Sequence, residues 1–201
     1  MRVAFGLKAH SGWAALVALA AQADAAFLVV ERRRIELVEN FEAEWAGQPY
    51  HAAEGKPAAE ARTIVERGIA EAQRAATRAL HEARTHMEAR GHEVAGCAVL
   101  CARPMPVWSV EQILSVHLRM HQAEGALYPG ALIHAARGLG IAVSEIPQRA
   151  LAERARDTFG ARSAAVERAI AALGKTVGAP WGADQKAAAL AAAVALYADQ
   201  K

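Results

Sequence analysis

Val3-Ala4-Phe5-Gly6-Leu7-Lys8-Ala9-His10-Ser11-Gly12-Trp13-Ala14-Ala15-Leu16-Val17-Ala18-Leu19 opens the chain and decides its reading. Two apolar runs, Val3 to Leu7 and Trp13 to Leu19, flank a polar stretch with the turn-former Gly12, which predicts two strands joined by a tight turn. A third run, Phe27 to Val38, follows after a turn at 22–24, so residues 3–38 read as a three-stranded meander. Arg32, Arg33 and Arg34 fall inside the third strand. Successive strand residues point to opposite faces, so this triplet sends charge to both, which suits an edge strand or an exposed end. The same opening has a rival reading: Trp13 to Ala21 is apolar, and Ala23-Asp24-Ala25 imitates a signal-peptidase site. Gly6, Lys8, His10 and Ser11 break up the N-terminal stretch as a whole and favour the strand reading. A membrane-spanning helix is disfavoured because Gln22 and Asp24 break the run before it reaches about 20 residues.

Beyond the meander, 40–55 contains Gly47, Pro49 and Gly55 and reads as a connection. From Pro57 to Arg90, Val65, Ile69, Ala72, Ala76, Leu80, Ala83 and Met87 recur by threes and fours, the spacing of a long helix closed by Gly91. Val94 to Ala102 is almost wholly apolar, as expected of a strand covered on both faces. Ser109 with Gln112 makes a capping box for a helix from Val110 to about Tyr128. Pro129-Gly130 is expected to interrupt it before a second piece ends at 138–140. Ile141 to Ile146 reads as a short buried strand, and helices are expected at 149–159, 163–173 and 184–198. The resulting order, β-β-β-α-β-α-β-α, describes an α/β domain with a mixed sheet and helices on its faces.

The chain has 201 residues, 54% of them hydrophobic, enough for a sizeable core and for one domain spanning 1–201. Its 23 basic and 21 acidic residues nearly cancel, which argues against a histone-like tail. Cys97 and Cys101 on one strand would lie about 13 Å apart, too far for a disulfide. They are expected as buried thiols in a cytoplasmic protein.

This order, with particular residues on it, resembles the ribonuclease H-like superfamily, and most closely its Holliday-junction resolvases of the RuvC type. Gly6 to Ala14 is similar to that family's opening hairpin, and Gln122-Ala123-Glu124-Gly125 to its Gln-Ala-Arg-Gly helix. Gly140 to Pro147 resembles its glycine, short strand, glutamate and proline. Asp184 to Ala191 resembles its last helix, where two aspartates precede Ala-Leu-Ala. The resemblance spans the chain except around 40–90. It implies a ribonuclease H-like mixed sheet, a three-stranded antiparallel meander plus parallel strands, and a dimer as a common state of such relatives. It also implies a centre where carboxylates hold two divalent ions. Here those carboxylates are mostly absent: the first-strand position is Lys8, the stretch Ala98-Val99-Leu100-Cys101 has none, and the last helix keeps Asp184 alone.

Several residues could carry chemistry. Lys8 and Asp184 are matched charges that read as an ion pair or as a catalytic lysine with its partner, and His10 lies beside them. His117, His121 and Glu124 fall at i, i+4 and i+7 of one helical stripe, a spacing that can chelate a metal or supply an acid-base pair. Two half-buried histidines bonded locally is the plainer reading, and whether a metal binds there is open. Arg33 and Arg34, with Arg32, Arg103, Arg149, Arg154, Arg156 and Lys186, could meet phosphates, or simply solvate the surface. Trp181, and Tyr50 and His51 in the connection, could stack on a ring or anchor their loops.

Three functions are therefore open. The first is a remodelled resolvase-like protein that binds nucleic acid or another phosphorylated ligand in a cleft around Lys8, His10, His117, His121, Glu124 and Asp184, without two-metal cleavage. The second is an enzyme acting on a small molecule or nucleotide through His117, His121 and Glu124, with or without a metal. The third is a structural or partner-binding protein.

Overall fold

A computed structural model describes residues 1–22, 26–39, 43 and 45–198. Residues 23–24 of the turn expected at 22–24, the Ala23-Asp24-Ala25 stretch and part of the 40–55 connection lie outside them. Five strands form one mixed sheet: β1 (Arg2–His10), β2 (Trp13–Ala21), β3 (Phe27–Glu36), β4 (Glu93–Cys101) and β5 (Val143–Pro147). Their order is β3-β2-β1-β4-β5, so β1 is central and the arginine-bearing β3 is an edge. β1, β2 and β3 pair antiparallel, whereas β4 and β5 run parallel to β1. Gly12, at φ 80°, makes the turn between β1 and β2, a conformation that costs little without a Cβ.

Helices cover both faces. On one lie α1 (Pro49–Ala52), the long α2 (Ala58–Ala89), α3 (Val110–Leu114) and α4 (His117–Gly138). On the other lie α5 (Leu151–Phe159), α6 (Ser163–Ala172), α7 (Gly174–Val177) and α8 (Ala183–Ala198). The pleat divides the core accordingly. Val3, Phe5 and Leu7 of β1 pack with Leu80 of α2 and Met120 and Leu132 of α4, while Ala4 packs with Ala188 and Ala192 of α8.

The contact between β1 and α8 is made nearly backbone to backbone. A Cβ placed on Gly6 would lie 1.7 Å from the Ala188 carbonyl oxygen and 2.8 Å from the Ala192 amide nitrogen. The alanines of α8, the residue most favourable to a helix, are also small enough for this approach. The approach brings the start of α8 to the end of β1.

The helix expected from Val110 breaks elsewhere than foreseen. Pro129 lies inside α4, and the interruption falls at Ser115 and Val116, where Val116 is extended at φ −141°. Pro129 removes one backbone donor, but Leu127, Tyr128, Ala131 and Leu132 around it are buried. The Tyr128 hydroxyl also donates to the carbonyls of Ala46 and Gly47 at 2.8 and 3.0 Å. Burial and these bonds hold the helix continuous across the proline. The capping box of Ser109 and Gln112 is present as expected. α1 appears in the stretch read as a connection, and α7 lies between two of the expected helices. No helix among the described residues is long and apolar enough to cross a membrane.

Candidate functional site

The strands β1 and β4 end, and β2 begins, at the same edge of the sheet. Two polar groups form beyond that edge, one in each helical layer. The first follows from strand parity. Lys8, two residues past Gly6, points to the α8 side, and His10 comes two residues later. Lys8 Nζ lies 2.8 Å from Asp184 Oδ1, and His10 Nε2 lies 3.0 Å from Asp184 Oδ2. Only 14% of the Lys8 side chain and 26% of the Asp184 side chain is exposed, so the pair is screened from water more than a surface salt bridge. Burial alone would push the Asp184 carboxyl up, but the Lys8 hydrogen bond and the His10 and Lys8 charges outweigh it and hold the group below its ordinary range.

His10 stacks on Trp13, with ring centroids 4.4 Å apart and planes 12° from parallel. The Arg34 guanidinium lies 4.3 Å from the centre of the same indole, a cation–π distance. Asp184, His10, Trp13 and Arg34 therefore form a continuous row along this face. Arg34 is also held by Glu36, its Nε donating to Oε1 at 2.6 Å.

The two divalent ions implied by the resemblance do not fit these residues. Both Asp184 oxygens already face cationic or polar nitrogen atoms, and the residue paired with Lys8 on β4 is the buried Leu100. Cys101 follows, a free cysteine whose thiol pKa is raised by burial and by Glu145. One carboxylate spent on a lysine leaves no pair to bridge two metal ions. The β4 and β5 ends instead open onto a cleft of about 970 Å³ lined by Cys101, Arg103, Gln122, Arg149 and Glu153.

The second group lies in the opposite layer. His117 and His121, both exposed, start α4, and His51 reaches them from α1. The Nε2 atoms of His117 and His121 are 3.0 Å apart. His51 lies with its ring centre 4.8 Å from that of His121 and 5.6 Å from that of His117. One nitrogen from each of the three rings falls within 4.8 Å of the others. Below them Glu124 is only 8% exposed. Its Oε1 accepts the Tyr50 and His51 backbone amides at 2.8 and 3.3 Å, and His51 Nδ1 lies 3.5 Å from the same oxygen. Burial pushes the Glu124 carboxyl up, against the lowering effect of those amides and of His51.

This placement corrects the single cleft expected around Lys8, His10, His117, His121, Glu124 and Asp184. Lys8, His10 and Asp184 converge. His117, His121 and Glu124 do not join them, because α4 packs on the face of β1 that carries Phe5 and Leu7 while Lys8 turns to the other. Of the arginine triplet, Arg34 belongs to the Lys8 face. Arg33 is on the α2 side, 3.0 Å from Glu31, so it does not contribute to the Lys8 group. Arg32 donates to the carbonyls of Val177, Gly178, Ala179 and Pro180, tying the edge strand to the segment that leads into α8. Trp181 is an anchor: its Nε1 donates to the Ile170 carbonyl at 2.9 Å and its ring packs on Gly174. Lys186 is exposed on α8. His51 was singled out from sequence for stacking, not as a neighbour of His117. Nothing in the periodicity of 40–55 could link it to a helix so distant in sequence.

Comparison of the whole chain with solved structures finds the same architecture. It superposes on Thermus thermophilus RuvC in complex with a Holliday-junction substrate with a TM-score of 0.50 at 12% identity, covering 100% of this chain and 96% of that one. The fold is ribonuclease H-like. A second Thermus thermophilus RuvC structure gives a TM-score of 0.51 at 12% identity, covering 98% of this chain and 95% of that one. No protein-family model and no curated protein matches the sequence. Within the ribonuclease H-like frame, Lys8 on the central strand and Asp184 at the head of the last helix face each other as the sequence resemblance implies.

Proposed function

We propose that the protein is a remodelled resolvase-like domain, spanning 1–201 and cytoplasmic, that binds nucleic acid at the end of its sheet without two-metal cleavage. The observation that supports this most directly is the Lys8–Asp184 pair at 2.8 Å. A fixed ammonium supplies positive charge to a carboxylate at the head of the last helix, the place where the family resemblance implies metal ions. An ammonium offers no open coordination position, so it suits recognition rather than hydrolysis.

The surroundings suit a phosphodiester ligand. Arg34 over Trp13 presents a cation on an aromatic platform, and Arg103 and Arg149 line the neighbouring strand-end cleft. Arginines at these positions suit sequence-tolerant binding, in which contacts to backbone charge contribute most. Two free cysteines accord with a reducing compartment.

The test is a titration of branched and single-stranded DNA and RNA, followed by fluorescence anisotropy at several salt concentrations, with cleavage assayed in magnesium and manganese. Binding should weaken steeply with salt, Arg34→Ala should weaken it on the order of tenfold, and no product should appear. Cleavage abolished by Asp184→Asn, or affinity indifferent to both salt and Arg34→Ala, rejects this reading.

A further inference from the structure

We propose that His51, His117 and His121 bind one divalent transition-metal ion of the zinc class, with Glu124 orienting His51 from behind. This site lies in the layer opposite the Lys8–Asp184 pair and is independent of the nucleic-acid reading. The geometry begins with α4, where the i, i+4 spacing puts the His117 and His121 rings on one stripe with Nε2 atoms 3.0 Å apart. Two nitrogens bound tetrahedrally at 2.0–2.1 Å from zinc lie about 3.3 Å apart, so these rings need to shift by only a few tenths of an ångström to accept an ion. His51 brings the third nitrogen within 4.8 Å of both.

His51 is held in place by features that its own sequence neighbourhood does not explain. α1 starts at Pro49, whose ring lies so close to Gly68 of α2 that a Cβ there would come within 2.6 Å of it. Tyr50 is buried, and both its amide and that of His51 end on Glu124 Oε1. A buried carboxylate thus reads the backbone of α1 and faces the Nδ1 side of the His51 ring at 3.5 Å. With Nδ1 turned to Glu124, Nε2 is left for the ion, the carboxylate–histidine–metal arrangement that fixes ring orientation and strengthens the ligand. Among the described residues, Glu124 Oε2 and His51 Nδ1 are both buried without a hydrogen-bond partner, and a cation on the His51 ring would strengthen the attraction between Nδ1 and the carboxylate.

The donor set defines the ligand. Three imidazoles favour zinc, cobalt, nickel or copper over magnesium and calcium, which prefer all-oxygen surroundings. Three protein ligands, two of them exposed, leave a fourth position to water or to an incoming group. A neutral hydrogen bond between His117 and His121 is the competing arrangement, and it predicts no stoichiometric metal.

Chelator-treated full-length protein, titrated with zinc by calorimetry and with cobalt by visible d–d absorption, separates the two. One ion should bind per chain, with tetrahedral cobalt bands and no competition from excess magnesium. His121→Ala and His51→Ala should each weaken zinc binding by more than about 100-fold, and Glu124→Gln by about 10- to 100-fold. His134→Ala, an exposed histidine farther along α4, should bind as the parent does. Circular dichroism on each variant checks the fold, and His117→Ala at the exposed start of α4 supplies a ligand deletion that disturbs no core packing. Absence of stoichiometric binding overturns the proposal, and so does retention of parental affinity in folded His117→Ala or His51→Ala.

Discussion

Two carboxylates lie beyond the same edge of the sheet, and the fold treats them in opposite ways. Asp184 meets an ammonium and an imidazole, one at each oxygen, and its carboxyl is held below the ordinary range. Glu124 meets two backbone amides and a histidine side, one of its oxygens has no partner among the described residues, and burial wins, raising its carboxyl. Desolvation pushes both upward, so the difference lies in what stands opposite. A formal positive charge overcomes the penalty, whereas amide dipoles offset only part of it. The first carboxylate therefore has a partner at each oxygen, whereas one oxygen of the second retains unmet bonding capacity. This contrast makes the Lys8 side suited to a fixed electrostatic surface and the histidine side suited to an added cation.

The comparison can be broken most forcefully at Gly6, whose Cβ position faces α8. Gly6→Ala would place a methyl group 1.7 Å from the Ala188 carbonyl oxygen, so β1 and α8 must separate. A loss of about 3 kcal/mol or more is expected, at the upper end of overpacking effects because the obstructing atom is backbone. Urea unfolding followed by tryptophan fluorescence and by circular dichroism should shift together. A stability within about 0.5 kcal/mol of the parent would mean that α8 does not approach as described.

A smaller effect is expected from Asp184→Asn, which keeps the shape but removes the charge between Lys8 and His10. The folded carboxyl has a lowered pKa, so its contribution is complete above the unfolded value of about 3.9 and fades as pH falls through the folded value. At pH 7 the variant should be less stable by about 1–2 kcal/mol, the partial exposure of the pair keeping this below a fully buried bridge. Parent and variant curves should converge below about pH 4. An offset that persists unchanged into acid would show that charge is not its source.

The ease of reading these two groups from sequence differs for a physical reason. The meander, the long α2, the buried β4 and the Lys8–Asp184 pairing were legible because they follow from period, parity and a family-like order of elements. The histidine group was half legible. His117, His121 and Glu124 share a helix and hence a period, but His51 arrives through tertiary packing of α1 against Gly68 and Glu124, which no local pattern records. Likewise Pro129 carries a strong local signal to stop, and the buried residues on either side of it overrode that signal. The merging of both groups into one cleft failed because placing residues at the same sheet end does not fix the face, and the face was set by which layer α4 joined.

The mildest test, and the one that sharpens the contrast most, is Glu124→Gln read as stability against pH. A Gln oxygen can still accept the Tyr50 and His51 amides, so the main packing and hydrogen bonds survive the change. The folded carboxyl has a raised pKa, so between the unfolded value of about 4.3 and the folded value the native state holds the extra proton. Unfolding free energy from this residue therefore falls as pH rises through that window, the reverse of Asp184. Removing the titrating group should flatten this slope and leave the metal-free variant equal to the parent or more stable at pH 7, by no more than about 1 kcal/mol. Bound zinc should reverse the ranking, because the carboxylate then supports a ligand and its charge acquires a partner. Thermal unfolding with and without zinc at pH 5 and pH 7 measures both effects. A metal-free variant clearly less stable than the parent at pH 7 would mean that the ionised Glu124 is already satisfied within the protein, and the distinction between the two carboxylates would disappear.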